Sequence, residues 1–143
     1  MIDFFVKQWD KNKNILREYF ENNKMQSYDT YTKLVKLVLE LVINKDVDDE
    51  DDETINIDKL IKIDYGEYQG SLIYVFPIDT YQPVVSEIFY TTVEYGSCSA
   101  CDTLASIIGY NDEKKPNKHQ VDMLMKLSLN LVQNTHRFKD WYE

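Results

Sequence analysis

The sequence predicts a single α+β domain: a small three-stranded antiparallel sheet packed with about four helices, in the order α-α-β-β-β-α-α. Three observations carry that expectation. Apolar residues recur at three-and-four spacing near both ends of the chain, β-branched and aromatic runs crowd its middle, and turn chemistry separates those runs. With 43% apolar residues, 4 Gly and 3 Pro in 143 residues, the chain has the composition to build one core.

From Ile2 to Asn22 the large apolar residues Ile2, Phe5, Val6, Trp9, Leu16, Tyr19 and Phe20 mark one face of a helix. The stripe thins at Asn12 and Lys13, so that turn is expected to leave the core or to cross a cleft. Asn22-Asn23-Lys24 supplies a stop. Ser27 caps a second helix, whose positions Tyr31, Leu34, Val35, Val38 and Val42 are joined by Leu37, Leu39, Leu41 and Ile43. Only Lys33, Lys36 and Glu40 form a polar strip, which predicts burial over two-thirds of the circumference.

Strands are expected at Leu60–Tyr65, Leu72–Pro77 and Ile88–Tyr95, all rich in Ile, Val, Tyr and Phe. The first two form a hairpin through Gly66-Glu67-Tyr68-Gln69-Gly70, and the second, apolar on both faces, is central. Asp79-Thr80-Tyr81-Gln82-Pro83 is turn chemistry. A third helix starts at Ser99, with Asp102 three residues on as a capping partner, buries Leu104, Ile107 and Ile108, and ends at Gly109. Beyond Pro116, the residues Val121, Leu124, Met125, Leu127, Leu131 and Val132 mark a long final helix.

The formal charge is -9, and seven of the 25 carboxylates lie between Asp46 and Glu53; without them the charge is -2. This balance disfavours direct contact with nucleic acid or anionic lipid and favours a basic partner. The run is expected to be a solvated surface loop, because its carboxylates repel one another. The opening Met-Ile-Asp-Phe-Phe lacks the basic region of a signal peptide, no apolar stretch reaches bilayer length, and two cysteines cannot form a disulfide framework. The expected location is the cytoplasm.

Cys98-Ser-Ala-Cys101, at a strand end and helix start, has thiol-redox spacing, but Asp102 beside it opposes thiolate formation. The same pair could be half of a zinc site completed by His119 and His136. On one continuous helix those histidines stand about 25 Å apart, too far to share a metal. The simpler alternative is that both thiols pack as small apolar groups. No cofactor is expected, and no nucleophile elbow or phosphate loop accompanies Ser97, Ser99 or Gly66–Gly70. Tyr65, Tyr68, Tyr74, Tyr81, Tyr90 and Tyr95 all fall in the strand region; they suit either a core with phenols at its rim or a contact surface.

Three segments, Asp64-Tyr-Gly-Glu-Tyr-Gln-Gly70, Asp79-Thr-Tyr-Gln-Pro83 and Tyr95-Gly-Ser-Cys-Ser-Ala-Cys-Asp-Thr-Leu104, together resemble small proteins encoded by bacteriophages and prophages of Gram-positive bacteria. Ala100 stands where those proteins carry glycine, and the acidic run departs from their pattern. The resemblance implies a non-enzymatic accessory protein that binds and inhibits a host factor, in defence or nucleic-acid handling, inside the host bacterium. It transfers no catalytic residue. The candidate contact residues are Tyr68, Gln69, Tyr81 and Gln82, with Asp48, Asp49, Glu50, Asp51 and Asp52 as a second surface toward a basic host protein. A protein that sequesters a small molecule or nucleotide signal among the tyrosines, across a homo-oligomer interface, is the alternative reading. A metal or redox role for Cys98 and Cys101 is the third.

Overall fold

A computed structural model describes residues 2–24, 31–47, 54–66, 70–95, 104, 107 and 115–138. Helix α1, Asp3–Asn22, buries Phe5, Gln8, Trp9, Asn12, Leu16 and Phe20 along one face. Asn12 therefore does not leave the core as its polarity suggests; it is 2% exposed. Helix α2, Tyr31–Val38, buries Tyr31, Leu34, Val35 and Val38, and its chain continues into a widened π turn, Leu39–Ile43. That turn is closed by the Asn44 amide donating to the Leu39 carbonyl at 2.8 Å. Asp46, just beyond it, takes a left-handed conformation with φ of 48°, which aspartate tolerates.

Among the described residues the sheet has four antiparallel strands in the order β1-β2-β3-β4: β1 Ile61–Gly66, β2 Gly70–Pro77, β3 Ile88–Tyr95 and β4 His136–Arg137. The expected three strands are present, with β2 inside the sheet. The fourth, a two-residue strand pairing Phe89 with Arg137 and Tyr90 with His136, corrects the expected count. It also corrects the final helix: α3 is Lys118–Gln133, so His119 and His136 do not share one continuous helix, and His136 lies on a strand. Thr135 ends the helix by donating its hydroxyl to the Leu131 carbonyl at 2.8 Å. Asn117 caps the start reciprocally with Gln120, at 2.8 and 2.9 Å.

Three helices are present among the described residues, against about four expected. The third expected helix falls mostly outside them, although Leu104 and Ile107 are helical and buried. Both of these residues are hydrogen-bonded to other elements: the Leu104 amide donates to the Tyr31 hydroxyl at 3.0 Å, and Gln120 Nε2 donates to the Ile107 carbonyl at 3.0 Å.

Leu72, Tyr74 and Phe76 of β2 point to the helical layer, as do Phe89, Thr91 and Val93 of β3. Phe5 of α1 meets Phe76 and Phe89 with ring centroids 6.2 and 5.4 Å apart, the aromatic centre of the core. The opposite face of the sheet carries Ile61, Ile63, Ile73, Val75, Ile88 and Tyr90, of which Ile61 and Ile63 are exposed and the other four half-buried. Among the described residues no helix is long and apolar enough to cross a membrane.

Candidate functional site

Between β2 and β3 the chain makes a braced loop. The Ile78 amide donates to the Glu87 carbonyl and the Asp79 amide to the Thr54 carbonyl, both at 2.8 Å, which ties the loop's base. Within it, Val85–Glu87 forms a single 3₁₀ turn. The Glu87 carboxylate accepts from the Val84 amide at 3.1 Å while the Glu87 amide donates to the Val84 carbonyl at 2.8 Å, so one residue closes the turn at both ends. Arg137 of β4 donates Nη1 to the Ser86 carbonyl at 3.0 Å and lays its guanidinium over the Phe89 ring, 5.0 Å from the centroid.

The braced loop holds apolar side chains in water. Tyr81 is 92% exposed, Val84 58% and Val85 50%, and Gln82 is also exposed. Exposed apolar groups scattered singly are ordinary, whereas here three fall within five residues. A rigid loop loses little conformational freedom on binding, and tyrosine offers a large area with only two side-chain torsions.

The strand tyrosines divide into distinct roles. Tyr74 is fully buried, its hydroxyl 3.0 Å from Thr32 Oγ1. Burial holds its phenol above the ordinary range, against the lowering by the Thr32 hydrogen bond, and Asp64 nearby raises it further. Tyr90 is half-buried between the rings of His136 and Phe138, with centroids 5.6 and 5.1 Å away.

A cavity of about 420 Å³ opens between the end of β3 and α3, lined by Thr92 and Glu94 from the strand, Asn130 and Asn134 from the helix end, and His136. Its other walls are Tyr31, Val93, Leu127 and Leu131. No lysine or arginine is among these residues.

Of the residues singled out in the sequence, Tyr81 and Gln82 lie together on the exposed loop. Tyr68 and Gln69, the acidic residues Asp48, Asp49, Glu50, Asp51 and Asp52, and both Cys98 and Cys101 lie outside the described residues. His119 is exposed on the first turn of α3 and His136 is on β4. Among the described residues no three His, Cys, Asp or Glu side chains converge as a metal would require. Sequence reasoning missed Val84, Val85 and the brace from Arg137. A visible signal was the Val-Val pair directly after Pro83, an apolar couple with no strand length of its own. No protein-family model, no curated protein and no solved structure matches the chain.

Proposed function

We propose that this protein is a phage-type accessory protein that acts without catalysis, by stoichiometric binding and inhibition of a host protein with a basic surface. The loop 79–87 anchors the contact. The single observation behind this reading is the Tyr81, Val84 and Val85 patch, exposed on a backbone that Glu87 and Arg137 hold in place. Exposed aromatic and aliphatic groups on a preorganised loop suit the centre of a protein interface. The charge of -9, to which Asp48, Asp49, Glu50, Asp51 and Asp52 contribute, favours a basic partner and supplies long-range attraction.

The test begins with capture of a partner from a Gram-positive host lysate and continues with the purified pair. Replacing Tyr81 by alanine removes a central anchor, and the expected loss is about tenfold to thirtyfold in affinity, with folding stability unchanged within about 0.5 kcal/mol. Raising the salt lowers the association rate through screening of the acidic surface. A purified partner that binds Tyr81→Ala and Val84→Ser as tightly as the wild type overturns the assignment of the loop. Failure to recover any partner at protein concentrations of about 10 μM, well above an ordinary interface constant, counts against binding as the mode of action.

A further inference from the structure

Strand β1 is an outer strand of the sheet: β2 pairs with one of its edges, and among the described residues no strand pairs with the other. Its residues Ile61, Lys62, Ile63 and Asp64 are all exposed, Ile61 at 58% and Ile63 at 41%. An outer strand with exposed β-branched side chains is a template for another strand. We propose that this strand is β1 of a second copy of the chain, so that two four-stranded sheets join as one around a twofold axis through Ile63.

The charge pattern selects both the occupant and the register. In an antiparallel pair, directly opposed residues share a face with their Cβ atoms about 5 Å apart. An axis through Lys62 sets that ammonium against its own symmetry mate, and an axis through Asp64 sets two carboxylates together. An axis between Lys62 and Ile63 opposes a charge to an isoleucine. Only an axis through Ile63 places Lys62 opposite the partner's Asp64, and by symmetry Asp64 opposite the partner's Lys62. The strand is thus complementary to itself in one register, which is what an isologous contact requires.

The apolar pattern agrees with this register. Ile61 lies opposite Val75 and Ile63 opposite Ile73, so both isoleucines belong to the sheet face turned away from the buried Leu72, Tyr74 and Phe76. The twofold axis is then perpendicular to the sheet. It keeps the helices of both copies on one side and brings these two faces together on the other, with Ile63 against its mate. Loop 79–87 takes no part in the pairing, so this contact stands apart from the docking proposed above.

The experiment is sedimentation velocity of the full chain between about 1 and 200 μM in about 0.15 M salt, where a Debye length of about 8 Å screens the net charge. The wild type is expected to pass from monomer to dimer within this range. Lys62→Asp and Asp64→Lys each create two like-charge pairs and weaken the dimer about tenfold, whereas the two combined restore it to within about threefold. An independent readout does not depend on unaltered affinity: with Cys98→Ser and Cys101→Ser as background, Ile63→Cys places two thiols at the axis, where strand spacings of about 4.5–5.5 Å allow a disulfide. Oxidation is expected to give a covalent dimer, and Ile61→Cys is the weaker control. A wild type that stays monomeric throughout overturns the proposal. So do single reversals that the combination does not rescue, which place the contact elsewhere, or the absence of a covalent dimer from Ile63→Cys.

Discussion

Gln8 and Asn12 show how two amides can occupy an apolar stripe. A buried helix end leaves carbonyls without intrahelical donors, and each carbonyl so stranded is costly. Asn12 Nδ2 donates to the carbonyls of Val42 at 2.9 Å and Lys45 at 2.8 Å, while Gln8 Nε2 donates to those of Ile43 at 3.0 Å and Lys45 at 2.9 Å. α1 thus caps the end of the π turn with side chains one helical turn apart. Next to them, Asn44 pins Ile55 in the manner of a strand, accepting from its amide at 2.7 Å and donating to its carbonyl at 2.9 Å. Because Lys45 alone receives both amides, the two capping residues are coupled. Asn12→Leu is expected to cost about 1–3 kcal/mol by stranding the Val42 carbonyl. Gln8→Met costs less, since it also removes the buried Gln8 Oε1, which has no hydrogen-bond partner. Together they cost about 1 kcal/mol more than their sum, because only then does Lys45 lose both donors. Urea denaturation of the four proteins checks this, and simple additivity refutes the shared-carbonyl account.

Among the elements, loop 79–87 depends on a strand that arrives 50 residues later. Arg137→Ala removes the donor to Ser86 and the cation over Phe89, with an expected loss of about 1–2 kcal/mol and faster hydrogen exchange at the amides of Val84 to Glu87. Exchange that remains unchanged shows that Glu87 alone holds the turn. This dependence explains what was legible in the chain. Strong local periodicity fixed α1, α2, α3 and the three longer strands: alternation of Leu72, Tyr74 and Phe76 against half-buried neighbours is a period of two, and Leu124, Leu131 and Val132 keep helical spacing. β4 was not legible, because His136 and Arg137 are too few to alternate and their pairing is decided by Phe89 and Tyr90. The candidate site was half legible. The Asp79-to-Pro83 turn announced an exposed Tyr81, whereas Val84 and Val85 have strand propensity, and the cap by Glu87 and the bond from Arg137 hold them at the start of a 3₁₀ turn at the surface. Asn12 misled for a related reason: polarity marks a break in a helix stripe unless a partner carbonyl is known to face it.

For the whole molecule, α+β character followed from segregated helical and strand patterns, but the way the helical layer closes over the sheet depends on contacts between distant segments. One such contact is ionic: Arg17 of α1 lies 2.9 Å from the Asp122 carboxylate of α3, and Lys118 reaches the same carboxylate at 3.4 Å. The hydrogen bond from Arg17 is the main cause that holds the Asp122 carboxyl below the ordinary aspartate range; desolvation opposes it, and Lys118 adds to the lowering. Since the folded chain binds this proton more weakly than the unfolded chain, the linkage has a definite sign. Its stabilisation is fully present above the unfolded value of about 3.9 and is lost as the pH falls through the lower folded value. The pair is solvent-accessible, so the effect is small and sensitive to salt. Asp122→Asn is expected to lower Tm by about 1–2 °C at neutral pH and low salt. That difference shrinks in about 1 M salt and closes in acid, once the wild-type carboxyl is itself protonated. Thermal melts of both proteins across pH 2 to 7, a range set about the usual carboxylate value, decide the matter. A gap that persists at the acid end shows that Asp122 fastens α1 to α3 by neutral contacts, and the ionic account of this closure is then wrong.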